Sequence, residues 1–135
     1  MQTLSIIIPA YNEEKTIHLI LDKVLAVKLV NDLQKEIVIV NDCSTDKTKD
    51  VLRAYISNTP LSLSIAVLRR NYGAAIARNI GITHAKGNLV AFTDDDCVVP
   101  SDWLFLFKEK MESKVNTLLI FLLKPCFSFL NRIIT

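Results

Sequence analysis

The sequence is poor in glycine: only Gly73, Gly81 and Gly87 occur in 135 residues. They form neither Gly-x-Gly-x-x-Gly nor Gly-x-x-x-x-Gly-Lys-Ser/Thr, the two glycine-rich loops that commonly hold phosphate groups. If this protein binds a diphosphate, the absence of both loops favours binding through a metal ion.

Cysteine is also scarce, and no apolar run is long enough to span a bilayer. The three cysteines (Cys43, Cys97 and Cys126) are odd in number and lack Cys-x-x-Cys spacing, which argues against a disulfide framework and a zinc ribbon. The three thiols are therefore expected to be reduced, which is typical of a cytosolic protein. The apolar stretch near the N-terminus is short and has no basic lead, so a signal peptide is not expected. The longest apolar run within residues 115–135, Leu118–Leu123, is far shorter than the about 20 residues that a membrane helix needs. A cytoplasmic protein is therefore predicted.

The net charge of the chain is small and positive. A formal net charge of +2 and a pI near 8.4 fall short of a nucleic-acid-binding signature, so no nucleic acid partner is expected. Half of the residues are hydrophobic, which predicts a folded chain. We expect one domain over residues 1–114, followed by an apolar tail over 115–135.

Four short apolar runs rich in β-branched residues predict strands. They are continuous rather than alternating, as is typical of strands buried on both faces of a parallel sheet. The runs are Leu4–Ile8, Glu36–Val40, Leu63–Leu68 and Leu89–Thr93.

Helical patterns lie between these strands. The first carries apolar residues at helical spacing from Ile17 to Val24, with Asn12 as its expected cap. The second is expected to begin near Ser44–Asp46 and the third to run from about Gly73 to Ala85. Alternation of strands and helices predicts an α/β sandwich, a mainly parallel sheet flanked by helices, with right-handed crossovers.

A polar cluster follows each predicted strand. The clusters are Pro9–Asn12, Asn41–Ser44, Arg69–Gly73 and Asp94–Asp96. In open parallel sheets, ligands bind in the crevice beyond the carboxyl ends of the strands. One crevice is therefore expected to collect all four clusters.

The three consecutive aspartates are the strongest single signal. Two carboxylates about 4 Å apart repel by about 1 kcal/mol in water and by more near a protein surface, so a cation is expected to offset the repulsion. Alternate residues of a turn can point the same way, so Asp94 and Asp96 can share a ligand. Oxygen ligands suit Mg²⁺ or Mn²⁺. The alternative is an acidic loop that caps a helix starting near Ser101, although a cap needs one aspartate.

Other polar residues leave two interpretations open. Asp42 can accept a hydrogen bond from a nucleobase N–H or a ribose hydroxyl, or it can form an Asx turn or cap the helix that begins at Ser44. Arg69 and Arg70 can neutralise phosphate or can be a solvated pair. Arg78 lies within an apolar segment, where a partner for its charge is expected.

Three stretches, taken together, strongly resemble the family 2 glycosyltransferases, whose fold is the GT-A nucleotide-sugar-binding fold. They are SIIIPAYNEEKTI, EIVIVNDCSTDKT and NYGAAIARNIGITHAKGNLVAFTDDDCVVP. In the order and spacing of that family, they cover residues 4 to about 104.

The resemblance implies a donor site. Asp42 matches the aspartate that contacts the nucleobase, and Asp94 and Asp96 match the Asp-x-Asp that lies near the ribose and binds Mn²⁺ or Mg²⁺ on the diphosphate. The residues implied at the nucleotide sugar are Pro9, Ala10, Tyr11, Glu13, Asp42, Arg78, Asp94 and Asp95; those implied at the metal are Asp96 and Asp94.

The sequence departs from the family pattern in two places. The usual Asp-Asp-Gly-Ser reads Asn41-Asp42-Cys43-Ser44, so cysteine replaces glycine. The family's catalytic base is a downstream aspartate, yet no Asp or Glu follows Glu112 and no Gln-x-x-Arg-Trp motif occurs. An apparently truncated donor half, without an assigned base, is expected.

The resemblance implies inverting transfer of a sugar from a nucleotide-diphosphate donor, with UDP the usual nucleotide, to the hydroxyl of a saccharide or lipid-linked acceptor. The alternative is a non-catalytic nucleotide-sugar-binding remnant or one part of a split enzyme. A receiver-like regulatory domain fits poorly, since its acidic pair should follow the first strand. The tail over 115–135 ends a truncated chain, docks peripherally on a membrane, or covers the sheet.

Overall fold

The computed structural model describes residues 3–26, 33–59 and 62–93. Strands and helices alternate along this part of the chain, as the sequence predicts. The strands are β1 (Thr3–Ala10), β2 (Gln34–Asn41), β3 (Ser62–Val67) and β4 (Leu89–Phe92). The helices are α1 (Ile17–Ala26), α2 (Thr48–Ser57) and α3 (Ala74–His84). The tail over 115–135 and the helix expected near Ser101 lie outside the described residues.

The four strands form one parallel sheet in the order β3-β2-β1-β4. In this register Ile6 of β1 lies between Ile37 of β2 and Ala91 of β4. These three side chains are at most 1% exposed on one face of the sheet, and Ile7 and Val38 are fully buried on the other, because helices cover both faces. This burial explains why the central strands are continuous apolar runs. The predicted parallel α/β sheet is confirmed.

The helices divide between the two faces of the sheet. Leu4, Ile6 and Ile8 pack in one cluster with residues of α1 and α2, such as Leu21 and Leu52. The odd-numbered positions of β1 face the other way, where α3 packs. The chain moves from β1 to β2 to β3 in one direction and then returns across the sheet to β4. Right-handed crossovers in both directions require α3 to lie on the face opposite α1 and α2.

Close contact between α3 and the sheet depends on Gly81. A Cβ atom on this residue would lie 2.4 Å from Cγ2 of Ile7 and 3.3 Å from Cγ2 of Val40. Ile7 and Val40 are fully buried, so neither can move aside freely. The absence of a side chain at position 81 therefore sets the distance between helix and sheet.

The amino edge of the sheet is closed by buried polar groups. The Glu36 carboxylate, 4% exposed, accepts hydrogen bonds from the Ser5 hydroxyl (2.5 Å) and the Lys86 backbone N–H (2.9 Å). The Ser5 oxygen also accepts from the Gly87 N–H at 2.9 Å. These bonds fix the connection from α3 to β4.

Candidate functional site

The described pairing of β1 with β4 ends near the carboxyl ends of both strands. The last bond of this pairing in the described residues joins the Thr93 N–H to the Ile7 carbonyl at 3.1 Å. Pro9 lies two residues beyond Ile7 in β1, so its backbone also faces β4, but proline has no N–H to donate. The β1–β2 pairing continues to Ala10 and Asn41. Strand order also reverses here, and such a switch point is where α/β sheets bind ligands.

The loops that follow β1 and β2 are joined by six hydrogen bonds, which we call the interlock. Backbone N–H groups of the first loop donate to side chains of the second, and backbone and hydroxyl groups of the second donate to side chains of the first. The bonds are Asn12 N to Ser44 Oγ (3.1 Å), Glu13 N to Thr48 Oγ1 (2.8 Å), Glu14 N to Asp46 Oδ2 (3.2 Å), Thr45 N and Oγ1 to Asn12 Oδ1 (2.8 and 3.2 Å), and Lys47 N to Glu14 Oε2 (2.9 Å).

The interlock corrects two predicted helix starts. Helix α1 begins at Ile17, and the Asn12 side chain accepts from Thr45 instead of capping that helix. Helix α2 begins at Thr48, slightly later than predicted, and Asp46 Oδ1 accepts from the Thr48 N–H at 2.9 Å. Although burial acts to raise the pKa of Asp46, hydrogen bonds from Thr48 and from the Glu14 N–H lower it below its ordinary value.

Asp42 links the second loop to the third. Its carboxylate is 3% exposed, with Oδ1 accepting from the Tyr72 N–H and Oδ2 from the Gly73 N–H, both at 2.8 Å. Gly73 precedes the first residue of α3, so the negative charge lies at the positive end of that helix. Asp42 therefore supports α3, not the helix after Ser44. The turn at Ser44 is formed by Asn41, whose Oδ1 accepts from the Ser44 N–H and hydroxyl.

Two non-glycine residues of these loops have left-handed backbones. The φ angle is 52° at Asn12 and 58° at Cys43. Asparagine tolerates this conformation better than most residues, whereas for cysteine it is unfavourable. The structure thus explains why glycine is usual at position 43 in the family that the sequence resembles.

The remaining predicted donor-site residues of the first loop lie at this edge. Pro9 and Ala10 are buried at the end of β1, and Tyr11 is 43% exposed beside them. Glu13 is half-buried, and its carboxylate accepts from the Thr16 hydroxyl. The first loop therefore offers an exposed aromatic ring next to a buried strand end.

The third loop adds a cation and an aromatic ring. The Arg70 guanidinium lies over the ring of Tyr72, 4.7 Å from its centroid. Both side chains are exposed. The backbone N–H of Tyr72 donates the hydrogen bond to Asp42 described above. Arg78, on the second turn of α3, is half-buried and has an interaction partner, as its apolar surroundings predict. The loops after β1, β2 and β3 thus form one hydrogen-bonded rim.

The predicted metal ligands lie outside the described residues. Asp94, Asp95 and Asp96 follow Thr93, the last described residue, whose N–H donates to the Ile7 carbonyl of β1. Within residues 3–26, 33–59 and 62–93 no group of three or more His, Cys, Asp or Glu side chains is placed to hold a metal ion. Cys97 also lies outside these ranges.

The interlock is not predicted by the sequence patterns. They indicate Asn12 as a helix cap and do not single out Thr45 or Thr48. A signal was present, because both segments are rich in Asn, Ser, Thr and Asp, whose side chains commonly bond to backbone groups. Spacing alone does not show that the partners lie in the other loop.

Comparisons with known proteins identify the class. A family model described as Glycosyl transferase family 2 matches residues 5–129. The chain therefore belongs to glycosyl transferase family 2, and the predicted family is confirmed.

Particular relatives agree with this assignment. The dodecaprenyl-phosphate galacturonate synthase of Rhizobium johnstonii is 36% identical over 93 residues, covering 69% of this chain and 28% of that protein. The crystal structure of S. aureus TarS 1-349 in complex with UDP-GlcNAc superimposes with a TM-score of 0.71 at 29% identity, covering 82% of this chain and 31% of that one.

A third relative contains a metal ion. The mannosyltransferase PcManGT from Pyrobaculum calidifontis, in complex with GDP-Man and Mn²⁺, gives a TM-score of 0.69 at 33% identity, over 75% of this chain and 30% of that one. The GT-A fold is thus confirmed. The chain spans about a third or less of the length of these relatives. In the part of the chain that the structure describes, no helix is both long and apolar enough to cross a membrane.

Proposed function

We propose that this chain binds a nucleotide-diphosphate sugar at the carboxyl edge of its sheet and supplies the donor site of an inverting glycosyltransferase. The observation that supports this most is the rim itself. Three loops are hydrogen-bonded into one unit at the strand-order reversal, and in the sequence the aspartate triplet follows Thr93, whose N–H donates to Ile7 of β1 at the same edge.

In this proposal the nucleoside lies on the loops after β1 and β2. Tyr11 offers an exposed ring, and Glu13 lies two residues beyond it. Each carboxylate oxygen of Asp42 already accepts one backbone N–H, and each has a second lone pair for a donor on the ligand. Pro9, Ala10 and Arg78 complete the nucleotide side of the proposed site, with Asp94 and Asp95 from the triplet.

The proposed metal ligands are Asp96 and Asp94. A triplet of carboxylates that begins two residues after the end of β4, next to the switch point in sequence, fits a hard divalent cation, and a relative contains Mn²⁺ with its GDP-sugar. The cation, Mn²⁺ or Mg²⁺, would neutralise charge on the departing nucleoside diphosphate. UDP is proposed as the nucleotide, because a related structure contains UDP-GlcNAc.

The acceptor is proposed to be a saccharide or a lipid-linked hydroxyl or phosphate, as in cell-envelope polysaccharide synthesis; one relative is named for dodecaprenyl phosphate. A cytoplasmic location, with residues 1–114 as the donor domain and peripheral membrane contact through 115–135, belongs to the same proposal. No residue is assigned as the general base. The second candidate is a non-catalytic chain that binds the donor, or one part of a split enzyme.

Calorimetry with UDP, with and without Mn²⁺, tests the proposal. Binding that Mn²⁺ strengthens is expected, and Asp96→Ala should remove the dependence on Mn²⁺ while uridine binding persists. Asp42→Ala should weaken uridine binding whether or not Mn²⁺ is present.

Asp22→Ala is the matched control. Asp22 is an exposed aspartate that accepts a hydrogen bond from the Tyr55 hydroxyl, away from the rim. A folded wild-type chain that binds neither UDP nor GDP would refute the donor site. Sugar transfer by the purified chain would exclude the purely binding alternative.

A further inference from the structure

Asn12 occupies an unusual position in the rim. It directly follows Tyr11, has a φ angle of 52°, and is bonded to the second loop through both its backbone and its side chain. Its Oδ1 accepts from the N–H and the hydroxyl of Thr45, and its N–H donates to the Ser44 oxygen. The side chain is exposed, so these bonds are not a by-product of core packing.

Ser44 fixes the direction of these bonds. Its single hydroxyl proton is donated to Asn41 Oδ1 at 2.7 Å, which leaves a lone pair to accept from the Asn12 N–H at 3.1 Å. Asn41 is 1% exposed and lies at the end of β2, paired with Ala10. A continuous path of hydrogen bonds therefore runs from the rigid sheet through Ser44 to Asn12.

The residues held by this path adjoin the proposed nucleoside contacts. Tyr11 precedes Asn12, and Asp42 follows Asn41, so each ligand-facing side chain is one residue from a member of the path. Asp42 is additionally fixed by its own backbone bonds to the third loop. Tyr11, by contrast, is 43% exposed, and it is joined along the chain directly to Asn12.

We infer that Asn12 and Ser44 are positioning residues of the nucleoside pocket, which hold Tyr11 at a fixed distance from Asp42 before the ligand arrives. This inference rests on the proposed function and deepens it. A loop that is already ordered does not lose conformational freedom on binding, so its affinity for ligand is higher. Neither Asn12 nor Ser44 has to touch the nucleotide for this effect.

A series at position 12 separates the two properties of asparagine. Asn12→Asp keeps the Oδ1 acceptor and tolerates the left-handed backbone. Asn12→Gly keeps the backbone conformation but removes the acceptor, and Asn12→Ala removes the acceptor and disfavours the conformation. Ser44→Ala removes the relay from Asn41.

Uridine affinity, measured by calorimetry, is the primary readout. We expect about a 5- to 20-fold loss for Asn12→Gly, Asn12→Ala and Ser44→Ala, which corresponds to about 1–2 kcal/mol. Asn12→Asp should stay within about threefold of the wild type. The factor by which Mn²⁺ strengthens UDP binding should be the same in all variants, because the inferred defect is confined to the nucleoside. A general loss of structure would reduce both quantities.

Asn58→Ala is the matched control, since Asn58 is an exposed asparagine at the far end of α2 whose side chain donates to the Ala54 carbonyl. Its uridine affinity should equal that of the wild type. Wild-type affinity in Asn12→Gly would overturn the inference and leave the donor site standing. So would an Asn12→Asp variant as weak as Asn12→Ala. A folded wild-type chain that binds no nucleotide would refute the proposed function and this inference together. Circular dichroism shows which variants are folded. If Asn12→Ala is not folded, the uridine affinity of Asn12→Gly relative to the wild type decides the test.

Discussion

Cys43 offers a sharp test of backbone strain at the rim. Its φ angle of 58° falls in the left-handed region, which costs an L-residue with a Cβ about 1–2 kcal/mol. Glycine adopts this conformation without that cost but loses about 0.5–1 kcal/mol more conformational entropy on folding. The balance predicts that Cys43→Gly stabilises the protein by about 0.5–1 kcal/mol.

Urea denaturation of the full chain measures this change. With an m-value of about 2 kcal/mol/M, the midpoint should rise by about 0.25–0.5 M in Cys43→Gly. Cys43→Ala is the control for the thiol, because alanine keeps the Cβ and therefore the strain, and its midpoint should not rise. Cys43→Val should lower the midpoint, since a β-branched residue fits this conformation worst. If alanine stabilises as much as glycine, the thiol and not the backbone is responsible, and the reasoning fails.

Two further predictions concern packing and pH. Gly81→Ala should destabilise the protein by about 1–2 kcal/mol in urea denaturation, because the cost of the overlap between the new Cβ and Cγ2 of Ile7 exceeds the gain in helix propensity. Leucine lacks that methyl group, so adding Ile7→Leu should restore part of the lost stability. If the destabilising effects of the two substitutions simply add, the assigned clash is contradicted. The lowered pKa of Asp46 means that its contribution to stability is present above the ordinary aspartate value of about 4 and is lost as pH falls through the lowered folded value. The unfolding free energy of Asp46→Asn should therefore fall less steeply than that of the wild type between about pH 5 and pH 2. If the two slopes are identical, the Asp46 carboxylate does not contribute to the acid dependence of stability.

The regular elements were largely predictable because they depend on local patterns. Continuous apolar runs marked all four strands to within about two residues at each end, and helical spacing marked the four buried residues of α1. Burial on both faces gives a parallel strand its composition, and one buried face gives a helix its period. Both signals are written in neighbouring residues.

The strand order and the rim bonds were not predictable in this way. Thr45 contacts Asn12 across 33 positions, and Asp42 contacts Gly73 across 31, so the partners are neighbours only after the sheet forms. Asp42 shows the difficulty clearly. Its sequence neighbours leave open a ligand contact, an Asx turn or a cap for the following helix, yet its carboxylate supports a helix that begins after the next strand. A polar residue at a strand end has several candidate partners, and the fold selects among them.

The central place of β1 in the sheet has a consequence for synthesis on the ribosome. One side of this strand is paired by residues 34–41, but the other waits for residues 89–92. At about 5–20 residues per second, about 4–16 s separate the appearance of Ala10 from that of Phe92. During that interval the nascent chain presents an apolar strand with one row of backbone groups unpaired, which other nascent chains can join. Until residues 89–92 are synthesised, the strand that later carries the first loop of the rim therefore has an edge open to aggregation.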